Sequence, residues 1–115
     1  MSAGTLKIDC EQGATFSLII AYKDPDQKAI DLTGYTARMV VKQHKSSTDS
    51  LVILTTENDR ITIDGEAGEI ELAISADDTA DFSQGYYVYD LIITSDGGEV
   101  SRIVEGYFVV DGGVS

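Results

Sequence analysis

Gly85-Tyr86-Tyr87-Val88-Tyr89-Asp90-Leu91-Ile92-Ile93-Thr94, then Asp96-Gly97-Gly98, then an apolar run from Val100 to Val110, is the stretch that decides the fold. Two long runs rich in β-branched and aromatic residues flank a short Asp-Gly turn, where glycine supplies the positive φ that tight turns require. This is a β-hairpin signature. With paired residue numbers summing to about 192–195, Asp90 lies opposite residues 102–105. Alternation puts Tyr87, Tyr89, Leu91 and Ile93 on one face, and Tyr86, Val88, Asp90 and Ile92 on the other.

The same period-two pattern extends towards the start of the chain. Leu6, Ile8 and Cys10 alternate with polar residues over Thr5–Cys10, and Gly13 ends that run. Phe16, Leu18, Ile20 and Tyr22 line one face of a second strand. Asp24-Pro25-Asp26-Gln27 and Asp31-Leu32-Thr33-Gly34 are turns, because proline presets φ and aspartate bonds its own backbone. Tyr35, Ala37, Met39 and Val41 define a third strand. Gln43–Ser50 has no pattern and reads as an exposed loop. Leu51–Thr56, Arg60–Asp64 and Ile70–Ile74 read as further strands. Ser75 begins a capping box with Asp78, predicting one helical turn over Ala76–Asp81. About eight short strands separated by turns make an all-β, immunoglobulin-like antiparallel β-sandwich the expected fold, as a single domain over residues 1–115.

Composition narrows the function classes. The net charge is −12, and residues 58–115 carry only Arg60 and Arg102 against thirteen acids. Such a surface repels phosphate backbones and anionic lipid, so neither nucleic acid nor membrane is an expected partner. It either keeps the protein soluble or attracts a basic partner or divalent cations. No apolar run approaches the ~18 residues that span a bilayer. Met1-Ser2-Ala3-Gly4 leads into an alternating strand with no signal-peptide pattern, so synthesis in the cytosol is expected. Cys10 is the only cysteine, which excludes an intrachain disulfide, and its alternation with Leu6 and Ile8 suits a buried thiol.

No catalytic constellation is present. One histidine, His44, excludes two-histidine metal ligation within the chain, and no nucleophile elbow or phosphate loop occurs. No catalytic residue, metal ligand or cofactor is therefore expected. Asp24, Asp26 and Asp31, and Asp64, Glu66 and Glu69, sit around turns. Turn chemistry accounts for them, with calcium the alternative. Tyr87 and Tyr89 either pack in the core or join Tyr86 in a platform for sugars or a partner protein. Asp90 within an apolar strand needs a counter-charge if buried, and Arg102 is the candidate, as an internal ion pair or a solvated one. His44, Lys45, Ser46 and Ser47 are candidate partner contacts in the 43–50 loop.

A resemblance runs through these pieces in order. Gln12-Gly13-Ala14-Thr15-Phe16, Asp31-Leu32-Thr33-Gly34-Tyr35-Thr36-Ala37-Arg38-Met39, Gly68-Glu69-Ile70-Glu71-Leu72 and the Gly85–Gly106 hairpin together resemble small tail-associated proteins of bacteriophages and prophages. Among these is the immunoglobulin-like N-terminal domain of baseplate upper proteins. The resemblance implies a non-enzymatic virion structural protein, made in the host bacterial cytoplasm and located in the tail. Its partners would be other tail proteins, with a homo-oligomer in the particle. No helical or receptor-binding extension follows the domain, which suggests a stand-alone adaptor or decorating subunit. The ends, Met1–Gly4 and Gly112–Ser115, are expected to order on docking. A carbohydrate-binding or adhesin module is the alternative, requiring at least two exposed, coplanar aromatics.

Overall fold

The computed structural model describes residues 4–112; the expectations for residues 1–3 and 113–115 lie outside these. Among the described residues, nine strands and one helical turn follow in chain order: β1 (Gly4–Thr5), β2 (Ile8–Glu11), β3 (Phe16–Ala21), β4 (Thr36–Lys42), β5 (Val52–Thr55), β6 (Ile61–Asp64), β7 (Glu69–Ile74), α1 (Ala76–Ala80), β8 (Gly85–Thr94) and β9 (Val100–Asp111). They form an all-β sandwich. One sheet has the order β1-β9-β8-β4-β5, with β2 also on β9, and the other has the order β3-β7-β6. The expected Thr5–Cys10 strand is divided. β1 and β2 both pair with β9, in parallel, but are separated at Leu6 and Lys7.

Alternation fixes what each sheet buries. Ala37, Met39 and Val41 on β4, Tyr89, Leu91 and Ile93 on β8, and Phe108 and Val110 on β9 face inward. They meet Phe16, Ile61, Ile70, Leu72 and Ile74 from the smaller sheet in one core. Phe16 and Phe108 touch edge to face across the layers, with centroids 5.8 Å apart. Leu32, fully buried, closes one end of the sandwich, its N–H bonded to the Gly65 carbonyl at 2.8 Å. The two turns meet so closely that a Cβ on Gly65 would lie 2.7–2.8 Å from Thr33.

At the other end, the N-cap half of the expected capping box forms: Ser75 Oγ accepts the Asp78 N–H, and α1 spans Ala76–Ala80, while one oxygen of the Asp78 carboxylate accepts from Arg60. The fully buried Thr79 hydroxyl accepts the Gly13 N–H at 3.1 Å and lies 2.8 Å from the Ala14 carbonyl. This seats the β2–β3 connection on the helix. Cys10 is fully buried opposite Val110, and burial foremost, then Glu11, pushes its thiol up to about 11, so it behaves as a small apolar side chain.

The β8–β9 hairpin contains a β-bulge. Gly85↔Val110 through Leu91↔Val104 keep one register, and Ile92↔Arg102 begins another, one residue shifted. Without the shift, Arg102 would pair with Ile93, an inward position. A one-residue slip exchanges faces, so the bulge returns Arg102 to the outer face that Asp90 occupies.

Candidate protein-contact face

The outer face of the larger sheet is built by the residues that alternate with the core. β8 contributes Tyr86, Val88, Asp90 and Ile92, β9 contributes Val109, Tyr107, Glu105 and Arg102, and β4 contributes Lys42, Val40 and Arg38. Tyr86 and Tyr107 are 67% and 57% exposed, and their rings meet edge to face at 6.1 Å and 81°. Val109, directly opposite Tyr86 and two residues along β9 from Tyr107, is buried although it points away from the core. Val88, Val40, Ile53 and Ile92 continue a half-buried apolar band across to β5.

This face also differs in charge. By alternation, Lys7, Arg38, Lys42 and Arg102 share it with Asp9, Glu11, Asp90, Glu105 and Asp111. Four cations stand there against five acids, leaving four against fifteen on the rest of the molecule. The face is thus close to neutral on a strongly acidic protein. Exposed aromatics, half-buried aliphatics and interspersed arginine make up the composition that protein contacts favour.

The structure joins Asp90 and Arg102, with Arg102 Nε 3.2 Å from Asp90 Oδ2. The tie is a solvated outer-face pair rather than an internal one, because alternation places Asp90 with Tyr86 and away from Tyr89. Its local role is to counter a like-charge pair, since Asp90 stands directly opposite Glu105. With both side chains more than a third exposed, a double-mutant cycle of Asp90→Asn and Arg102→Ala should give a coupling below about 1 kcal/mol, falling with salt. A larger, salt-independent coupling would contradict this.

Tyr89 joins the core, and its hydroxyl donates to the Leu6 carbonyl at 2.6 Å; burial pushes its ionisation up to about 12. Tyr87 is half-buried and donates to the Ser83 carbonyl at 2.8 Å. Neither is available as a platform, which leaves Tyr86 and Tyr107 as the exposed tyrosines of the hairpin. The turn aspartates are engaged as turn chemistry demands. Asp24 Oδ1 accepts the N–H groups of Asp26 and Lys28, and Asp31 Oδ1 accepts from the Thr33 N–H and hydroxyl, which holds the Asp31 carboxyl below its usual range. Among the described residues, no three His, Cys, Asp or Glu side chains gather in a metal-binding group. No helix there is long and apolar enough to cross a membrane.

His44, Lys45 and Ser46 are exposed in a tight turn closed by His44 N–H to Ser47 Oγ and Ser47 N–H to the His44 carbonyl. The loop follows Lys42, which lies in register with Val88 and Tyr107, so it leaves the sheet at the Tyr86 end of the face. Sequence reasoning missed Arg60. Its guanidinium donates to the Ile53 carbonyl at 3.1 Å and to Asp78 at 2.9 Å, clipping β5 to α1 and drawing the Asp78 carboxyl below its usual range. The one signal was its rarity, as one of two cations in the acidic half.

No protein-family model and no curated protein matches the chain. Among solved structures it is similar to the GspB Siglec domain, with a TM-score of 0.52 and 13% identity over 95% of this chain and 55% of that one. It also resembles CopC from Methylosinus trichosporium OB3b, with a TM-score of 0.49 and 10% identity over 100% of this chain and 89% of that one. The likeness to the Siglec domain is one of fold, an immunoglobulin-like β-sandwich.

Proposed function

We propose that this chain is a non-enzymatic structural protein that works by protein–protein contact, as an adaptor or decorating subunit of a bacteriophage or prophage tail. The observation that supports contact as its mode of action is the exposed Tyr86–Tyr107 pair on the near-neutral face of an otherwise acidic molecule. Large, stiff aromatics contribute most per residue at protein interfaces, and a near-neutral face avoids the repulsion that an acidic one would meet. The tail setting comes from the sequence resemblance. The 43–50 loop, beside the same end of the face, is the natural extension of the contact.

The carbohydrate-binding reading has a specific observation on each side. Two aromatics are exposed, but their planes stand at 81°, so they offer no flat two-ring platform for a sugar.

Deleting the gene from the phage or prophage and imaging the particles tests the proposal. Tails are expected to lack a component or to fail in assembly. Wild-type protein supplied in trans should restore them, and the Tyr86→Ala/Tyr107→Ala variant should not, despite a melting temperature within a few degrees of wild type. Normal particles without the gene would overturn the tail assignment. Full rescue by the double variant would overturn the aromatic pair as the contact.

A further inference from the structure

The four open sheet edges are not alike. β5 is short, and two of its outward backbone groups are already taken: Asn58 Nδ2 and Arg60 donate to the Ile53 carbonyl, and the Thr55 N–H donates to Asn58 Oδ1. β1 and β2 are interrupted at Leu6–Lys7, and the outward positions Lys7, Asp9 and Glu11 are charged. β6 has four residues and ends in Asp64. These are the devices by which sheets discourage edge pairing.

β3 has none of them. It runs six residues, Phe16-Ser17-Leu18-Ile19-Ile20-Ala21, inside an uncharged stretch from Gln12 to Tyr22. The Tyr22 N–H bonds to the Gly68 carbonyl and Phe16 pairs with Ile74, so the even-numbered residues direct their backbone groups at β7. The N–H and C=O groups of Ser17, Ile19 and Ala21 therefore face away. Among the described residues no strand pairs with that side. An open groove of about 350 Å³ runs beside it, between the 6–11 segment and β3. Ile19 is 56% exposed.

We propose that β3 is a self-association edge, on which two copies pair antiparallel across a two-fold axis at Ile19 and merge two three-stranded sheets into one of six. This inference stands apart from the tail assignment. The occupant follows from self-complementarity. In the register centred on Ile19, Ile19 meets its own counterpart and Ser17 meets Ala21, all three being outward-bonding positions. Every free N–H and C=O of the three residues then finds a partner, without placing a charge opposite a charge. Among the described residues, the other edge with an uncharged run of this length, Leu51–Thr56 around β5, has outward backbone groups engaged by Asn58 and Arg60. The partner strand also covers the groove.

The salt dependence is distinctive. The contact itself is uncharged, but the two copies repel over distance, so salt should tighten the dimer by screening. A contact built on surface ion pairs would do the reverse. Sedimentation velocity of the full chain, over a concentration series at low and high salt, is the test. The wild type should show a monomer–dimer equilibrium that shifts towards dimer with salt. Ile19→Lys and Ile19→Glu, each placing like charges opposite at the axis, should each be monomeric, with melting temperatures within a few degrees of wild type and the Glu variant the lower because residue 19 pairs with Glu71 in its own sheet. A mixture of the two should regain a dimer. Tyr107→Ala should dimerise as wild type. A wild type that stays monomeric throughout, a dimer that salt weakens, or Ile19 variants that associate like wild type would overturn the proposal. So would a strand from a different protein occupying β3 in preference to the second copy.

Discussion

Replacing Gly106 with alanine is expected to destabilise the protein by about 3 kcal/mol, lowering the melting temperature by roughly 10 °C. Gly106 has φ 152°, where side chains are strained, and a Cβ there would lie 2.5 Å from the Leu6 carbonyl oxygen. That contact is with backbone, so no side-chain rotation relieves it. The same carbonyl receives the Tyr89 hydroxyl, and Tyr89 is the residue directly opposite Gly106 on β8. The missing side chain lets β9 approach the 6–7 break while the tyrosine ring from β8 reaches past it to the same oxygen. Tyr89→Phe, which removes only the hydrogen bond, should cost about 1 kcal/mol. Thermal unfolding followed by circular dichroism distinguishes the two. A Gly106→Ala cost no larger than that of Tyr89→Phe would show that the break yields freely and that the close approach is not constrained.

Leu72→Ala should also cost about 3 kcal/mol, within the range for fully buried leucines. Leu72 is fully buried on β7, the central strand of the smaller sheet, in register with Leu18 on one side and Ile61 on the other. Only three strands make up that layer, so the gap opens in the middle of its contact with the larger sheet. Urea denaturation is the check, with a lower midpoint and an unchanged slope expected. A loss below about 1 kcal/mol would mean that the thin sheet settles into the vacated space.

The hairpin was legible because three independent signals agree there: alternation, β-branched and aromatic composition, and an Asp-Gly turn. The limits of β8, Gly85–Thr94, follow directly from them. The facing of the tyrosines was legible for the same reason, since parity alone separates Tyr86 from Tyr89. Other features leave no local trace. Nothing in Gly4–Glu11 shows that it will pair in parallel with a strand a hundred residues away, or divide at Leu6–Lys7. The bulge at Leu91–Ile92 was equally hidden, and with it the reason that Arg102 faces outward. The contact face was only half visible. Parity placed Tyr86 on the face opposite Tyr89, but that this face is the outer one, and that its charges nearly balance, emerges only when β2, β4, β8 and β9 lie side by side.

The parallel placement of β1 and β2 on β9 has a mechanical consequence. Gly4 pairs with Val104 and Glu11 with Asp111, so the beginning of the described chain and its end lie towards opposite ends of one strand pair. A pull applied through residue 4 and residue 111 draws β1 and β2 one way and β9 the other. The hydrogen bonds of that ladder then bear the load together, in shear, rather than opening one after another as in a pulled hairpin. The division at Leu6–Lys7 splits the ladder into a two-residue catch and a four-residue one, with the Tyr89 hydroxyl fastened between them.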